Sequence, residues 1–298
     1  MARANATGIR AGLGGSGDRG RFDPGKIPRG DLVRSYNTLT LAHKDRVLTI
    51  TLNRPDALNA VNLEMHDELA DAFNFAATDT QSDIVVLTGA GRAFCAGSDI
   101  EHLARNASKP ELFDHEARIA KRIVFAMLDL DKPLVCRMNG HAIGLGATLA
   151  LLCDIVIAHD SSKIGDPHVC VGLVAGDGGA AIWAQRIGLG RAKEYLLTGE
   201  PMTAKHAADI GLINHCVSPS QLDDAVTAFC NRLKHGSMQA IRWTKVLMNL
   251  ELKRVALGVM DAGIAYESVS ARSADHREAV KAMQEKRRPV FCTDDTKL

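Results

Sequence analysis

His168 and Asp177 are the two side chains of this sequence best suited to moving a proton. They stand nine residues apart within GDPHVCVGLVAGDGG (165–179), with Gly172 between them. An imidazole titrates near neutrality, and a carboxylate beside it orients or charges the ring. Spacing alone fits a surface turn with an incidental histidine equally well. Two further turns offer backbone chemistry. RAFCAGSDI (92–100) places small residues before a helix start at Asp99, leaving N–H groups free for a developing negative charge. A simple helix cap explains Asp99 but not the Ala-Gly-Ser turn before it. NGHAIGLGAT (139–148) repeats the device with Gly140, Gly144 and Gly146. It is not a dinucleotide fingerprint, because Leu149 occupies the last position of G-x-G-x-x-G. In LNRPDALNA (52–60), Pro55 fixes a turn and the small residues after it leave the backbone uncovered.

Four turns of this kind need strands to end in them and helices to begin after them. Residues 46–53 alternate in period two, and 84–89, 134–139 and 154–159 are apolar runs of buried-strand length. Met65, Leu69 and Phe73 mark one helical face, Ile119, Ile123 and Met127 a second, and Thr148, Leu149 and Leu152 a third. The alternation predicts an α/β fold with helices packed outside a sheet. After about residue 190 the pattern turns helical, with helices predicted over 222–233, 240–252, 255–270 and 274–286. No internal repeat is visible. Residues 1–36 carry clustered Gly and Arg without apolar periodicity and read as a flexible arm. The division expected is arm 1–36, α/β core 37–217 and helical region 218–298.

The 298 residues balance 36 Lys and Arg against 35 Asp and Glu, which argues against nucleic acid as a partner. No run approaches the ~18 uncharged apolar residues that span a bilayer, so no membrane partner is expected. Seven cysteines without a C-x-x-C pair fit reduced thiols in a cytoplasmic protein. Cys95 and Cys170 read as packing, His141 as a hydrogen-bonded turn residue, and Lys286–Arg288 as a solvated helix end. No His/Cys/Asp cluster has metal-ligand spacing, so no metal is expected.

Taken together, the four turns and EYLLTGEPMTAKHAADIGLINHCV (194–217) resemble the crotonase (enoyl-CoA hydratase/isomerase) superfamily over about residues 36–291. The resemblance implies a ββα spiral core and a C-terminal helical region used to form a homotrimer or a dimer of trimers. It implies an acyl-CoA substrate, coenzyme A being part of that substrate and no cofactor bound permanently. An oxyanion hole would fall on the amides of Ser98 and Leu145, and coenzyme A contacts on Ala57, Leu58, Ala60, Ser98, Asp99 and Ile100. The family's two hydratase glutamates fall here on Thr148 and His168. A threonine hydroxyl cannot exchange a proton near neutral pH, so His168 and Asp177 would have to replace the glutamate pair. Glu101 stands where close relatives often carry a lysine. The P-H…G-D-G combination also resembles the oxocamphor hydrolase branch, in which His168 would activate water and Asp177 orient His168. Three readings stay open: an acyl-CoA lyase or isomerase, a β-diketone (retro-Claisen) hydrolase, and a catalytically quiet coenzyme A-binding homologue.

Overall fold

A computed structural model describes residues 34–291. Its strands are β1 (Leu39–Lys44), β2 (Val47–Leu52), β3 (Ile84–Gly89), β4 (Leu134–Met138), β5 (Ala142–Ile143), β6 (Ile155–His159), β7 (Lys163–Gly165), β8 (Met202–Thr203) and β9 (His215–Val217). Its α-helices are α1 (Leu63–Thr78), α2 (Ile100–Ser108), α3 (Pro110–Asp129), α4 (Leu145–Leu152), α5 (Gly179–Ile187), α6 (Leu189–Thr198), α7 (Ala204–Asp209), α8 (Leu222–Lys234), α9 (Met238–Ser270) and α10 (Ala274–Gln284).

Six strands form one sheet in the order β1-β2-β3-β4-β6-β9, and β5, β7 and β8 form a second. From β2 to β9 every pairing in the larger sheet is parallel. Both of its faces are therefore covered, which is why β3 and β4 are buried at every position and read as unbroken apolar runs. The chain is a repeat in space. β4 leads to β5 and then α4; β6 leads to β7 and then, through a short 3₁₀ turn at His168–Val171, to α5. Isolated bridges Cys95–Ala142 and Val61–Ser98 extend the small sheet toward the two earlier units, which end in α2 and α1. This is the ββα spiral. Its repeat is hidden in sequence because the second strand of each unit is only one to three residues long, too short for a hydropathy signal.

The four predicted strands are present, each within one residue of expectation at either end. β1 is an addition. It pairs with β2 through a two-residue turn at Asp45 and Arg46, both with positive φ (50° and 60°). Such a turn normally announces itself as Asn-Gly or Asp-Gly, and Asp-Arg does not. The predicted helical faces of α1 and α3 are buried as expected. The two helices expected over 240–252 and 255–270 are one 33-residue helix. Lys253 and Arg254, which look like a break, are good helix formers with their own partners, Asp129 at 2.6 Å and Glu251 at 2.6 Å. α9 lies against α3 and α5 and contributes Ala256 and Met260 to the main core. The helical region and the sheet thus share one interior. The expected arm lies outside the described residues apart from its last three, and Cys292 lies outside them as well.

Candidate active site

The site forms where the second strands of successive units hand over to their helices. Val61 bonds the carbonyl of Gly97 and the amide of Asp99, at 2.8 and 3.1 Å. Alternation along an extended chain then turns the amide of Ser98, between them, to the opposite side. Leu145 is the first residue of α4, where an amide has no partner within the helix. Among the described residues neither amide has a protein acceptor, and both residues line one small cavity. Two glycines let the turns meet. A Cβ on Gly97 (φ +90°) would fall 2.9 Å from the carbonyl of Ile143, and one on Gly144 (φ +55°) 3.7 Å from the His168 ring.

The residues expected to contact coenzyme A form a second cluster. Leu58 and Asn59 both adopt positive φ, and buried Asn59 donates to the carbonyls of Ala90 and Ala93 at 2.8 and 2.9 Å. The amide of Ala96 reaches the carbonyl of Leu58 at 3.1 Å. Arg54 then ties the two turns together, through the carbonyl of Ala60 and the Asp99 carboxylate at 3.0 Å. Asp99 also caps α2, accepting from Glu101 N at 3.0 Å. Ala57, Leu58, Ala60, Ser98 and Asp99 are thus gathered around the start of α2, whose first residue is Ile100. A surface groove of about 620 Å³ opens there, lined by Arg54, Asn62, Asp99, Glu101 and Arg105 among others. It shares His102 with the cavity, which measures about 30 Å³, room for a single water or hydroxyl.

His168 and Asp177 do meet, but in a larger group than the sequence suggested. The orienting partner of His168 is Asp166, not Asp177: its carboxylate hydrogen-bonds Nδ1 at the buried start of the 3₁₀ turn. Asp177 faces the other nitrogen, with Oδ2 3.6 Å from Nε2, and Glu267 of α9 lies 3.9 Å from the same nitrogen. All four residues are at least nine-tenths buried. Asp177 is held by Gly179 N (3.4 Å) and by the Thr148 hydroxyl (3.3 Å). Thr148 therefore helps to hold the Asp177 carboxylate by one of its two oxygens. Glu267 was not legible in sequence, being some ninety residues downstream in a helix whose charges all look solvated. Close passage of α9 past Gly176 brings it in: a Cβ there would fall 2.6 Å from the carbonyl carbon of Gly263 and 2.8 Å from Glu267 Oε2.

Burial alone would push His168 down, but Asp166, Asp177 and Glu267 outweigh it and hold the imidazolium well above its ordinary value. Burial raises the Asp177 carboxyl, with the His168 charge pulling the other way. Burial and the neighbouring Asp177 push Glu267 well up, so it keeps its proton where free carboxylates do not. The group thus sets an imidazole whose charged form is favoured beside two carboxyl groups of raised basicity, a donor–acceptor set for proton transfer. Donor atoms of Asp166, His168 and Asp177 lie within 4.8 Å of one another, near enough to share a metal ion. The Asp166–Nδ1 contact is at hydrogen-bonding range instead and leaves Nε2 as the free ring nitrogen.

The remaining candidates are ordinary. His141 Nδ1 accepts from Lys163 N at 3.1 Å. Cys95 is buried behind Gly146, with its thiol pushed up to about 12 by burial. Cys170 is exposed rather than packed, because the 3₁₀ turn carries it to the surface. Arg287 pairs with Glu278 and Glu285.

Comparison with known proteins gives the family of the chain. The family model described as enoyl-CoA hydratase/isomerase matches residues 42–294. The chain is 33% identical over 258 residues to 2,3-dehydroadipyl-CoA hydratase of Escherichia coli (strain K12), covering 85% of this chain and 98% of the relative. It is similar to the crystal structure of an enoyl-CoA hydratase/isomerase from Mycobacterium paratuberculosis (37% identity, TM-score 0.78, 82% of this chain and 97% of that one). It is also similar to a β-diketone hydrolase from the cyanobacterium Anabaena sp. PCC 7120, solved with (S)-3-oxocyclohexyl acetic acid (27% identity, TM-score 0.74, 80% and 95%). No helix among the described residues is long and apolar enough to cross a membrane. From turns, sheet and relatives together, the chain belongs to the enoyl-CoA hydratase/isomerase family of the crotonase superfamily and is an enzyme of that family.

Proposed function

We propose that the protein acts on an acyl-CoA thioester, polarising its carbonyl between the amides of Ser98 and Leu145 and moving protons with the His168 cluster in place of a glutamate pair. Two residues whose amides lack a protein acceptor, both lining one cavity, carry this reading. A thioester carbonyl placed between them gains negative charge as a proton leaves its α-carbon, and one such donor is worth about 3–4 kcal/mol in a transition state. Asp177 accepts the proton: its Oδ1 is fixed by Thr148 and Gly179, while Oδ2 faces the site. Glu267 returns a proton to the neighbouring carbon or to a departing oxygen. His168, held by Asp166, sits between them and stabilises the negative charge as it shifts from one carboxylate to the other. Coenzyme A lies along the groove at Arg54, Asp99 and Arg105, beside the turn of Ala57, Leu58 and Ala60, which Arg54 ties to the groove through the Ala60 carbonyl. The free buried thiols of Cys95, Cys136, Cys153 and Cys230 fit a reducing cytoplasm.

A second reading is favoured by the imidazole–carboxylate contact and by the diketone-hydrolase neighbour. There the same oxyanion hole would hold an enolate released by C–C cleavage, and no coenzyme A would be needed. Product analysis by mass spectrometry separates the two, with a panel of enoyl-, hydroxyacyl- and dienoyl-CoA thioesters run beside free cyclic β-diketones. Conversion of a thioester and no diketone supports the first reading. Cleavage of a diketone, with no affinity for coenzyme A, establishes the second. Thioester binding without any conversion would leave the quiet coenzyme A-binding homologue.

A further inference from the structure

The cavity that gathers Ser98, Leu145, His168, Asp177 and Glu267 measures about 30 Å³, which holds one water and neither an acyl chain nor a diketone ring. The groove beside it is about 620 Å³, and the two share a single lining residue, His102 of α2. A wall must move before any carbonyl reaches the two amides. α2 is the wall with the weakest hold on the molecule. Helices α1, α3, α4 and α9 each send residues into the main core, among them Met65, Ile123, Leu149 and Met260, and α2 sends none of its described side chains there. Its apolar contact is a separate cluster, Leu103 with Phe113, Leu173, Ala271 and Val280.

The seam beneath α2 is polar and poorly satisfied. His66 of α1, His102 and Asn106 of α2 and Glu116 of α3 are each more than nine-tenths buried along it. Asn106 Nδ2 donates to Glu116 Oε2 at 2.6 Å, and Arg105 Nη2 lies 2.7 Å from His102 Nδ1. His102 Nε2 stands 2.5 Å from Glu116 Oε2 without the alignment of a hydrogen bond. His66 Nδ1, His102 Nε2, Asn106 Oδ1 and Glu116 Oε1 are all buried with no hydrogen-bond partner. Water both donates and accepts, so lifting α2 would satisfy every one of them. Closure rests on the small apolar cluster and on Glu116, against the loss of those bonds.

From this juxtaposition we infer that α2 is a flap over the active cavity, opening about Asp99 so that a carbonyl substrate enters from the groove past His102. Asp99 has extended backbone (φ −66°, ψ 132°), and its carboxylate is anchored by Arg54 at 3.0 Å. At the far end Lys109 separates α2 from α3 with non-helical backbone (φ −137°, ψ 75°), kept out of the helical region by Pro110 after it. The Ser98 amide stays in place as the flap moves, because Val61 pairs with Gly97 and Asp99 ahead of the helix. A thioester and a diketone need the same opening, so the inference stands under either reading of the reaction.

Hydrogen–deuterium exchange of the full chain, read by mass spectrometry, tests this with two variants of opposite sign. Glu116→Ala removes the carboxylate that holds Asn106, and should speed exchange of the α2 amides about 10-fold. His66→Phe keeps a ring in place and removes an unpartnered nitrogen from the seam. It should slow the same amides by a similar factor, which a misfolded variant cannot do. Amides of α4, on the facing wall, should keep their rates in both. Access to the cavity is read separately, from a thiol placed on its lining by Ala120→Cys. Alkylation of that thiol by iodoacetamide should quicken with Glu116→Ala and slow with His66→Phe. Exchange in α2 that neither variant changes overturns the inference, as does a cavity thiol whose alkylation is indifferent to both.

Discussion

At the scale of single residues the unusual feature is a histidine shared by three carboxylates. A lone imidazole–carboxylate dyad makes a base of the ring. Here the surroundings favour the charged form of the ring, and in the proposed mechanism the base and acid are the two carboxyl groups facing Nε2. Asp177→Asn should therefore lower turnover about 10²–10⁴-fold, as Glu267→Gln should, in steady-state assays on the substrate the panel identifies. The pH profiles should separate the roles. Glu267 acts protonated and its pKa is raised, so activity should fall on the alkaline side as that proton is lost, and Glu267→Gln should abolish that limb. Stability follows the same sign. His168 and Glu267 have raised folded-state values, so their contribution is complete below their unfolded values and is lost as pH climbs through the folded ones. Thermal melts should show the protein weakening toward alkaline pH, and the Glu267→Gln variant weakening less. An alkaline limb unchanged in Glu267→Gln would remove Glu267 from the chemistry.

At the scale of elements, glycines decide which turns can touch. The motifs around Ser98 and Leu145 were legible because tight strand-to-helix turns need Gly, and Gly97 and Gly144 do take positive φ. His168 and Asp177 were legible as a pair because nine residues of loop separate them. Asp166 sits two residues from His168 and could have been weighed as its partner; Asp-Pro-His reads as turn chemistry, and that obscured it. Glu267 carries no local signal, since only the docking of α9 against Gly176 gives it a role. Gly176→Ala tests the docking. Its Cβ would overlap the backbone of α9, and such overpacking costs about 1–3 kcal/mol. Denaturant melts should show that loss, and activity should drop further than the melt explains because Glu267 is displaced. Full activity at reduced stability would show that the position of Glu267 does not matter.

At the scale of the whole molecule, α9 joins the site to the surface. Its inner face supplies Met260 to the core and Glu267 to the proton-transfer group. Its outer face leaves Trp243, Leu247, Leu250 and Leu257 more than half exposed at helical spacing. We expect a homotrimer or a dimer of trimers, with this stripe among the surfaces that copies of the chain cover. Light scattering on the eluting protein should give three or six times the chain mass, and Trp243→Glu should shift it toward the monomer. A monomer at working concentration would leave the stripe without that purpose. The fold itself was readable because parallel strands buried on both faces are uninterrupted apolar runs. The spiral repeat was not, because half of its strands are too short to have a pattern.

The most direct measurement is the vibrational frequency of a bound thioester carbonyl. An unreactive acyl-CoA labelled with ¹³C at that carbonyl is bound to the protein, and its stretch is read by isotope-edited infrared difference spectroscopy. Donation from both Ser98 and Leu145 predicts a band shifted well to lower frequency than in water. A bound thioester whose carbonyl keeps its solution frequency would contradict the account.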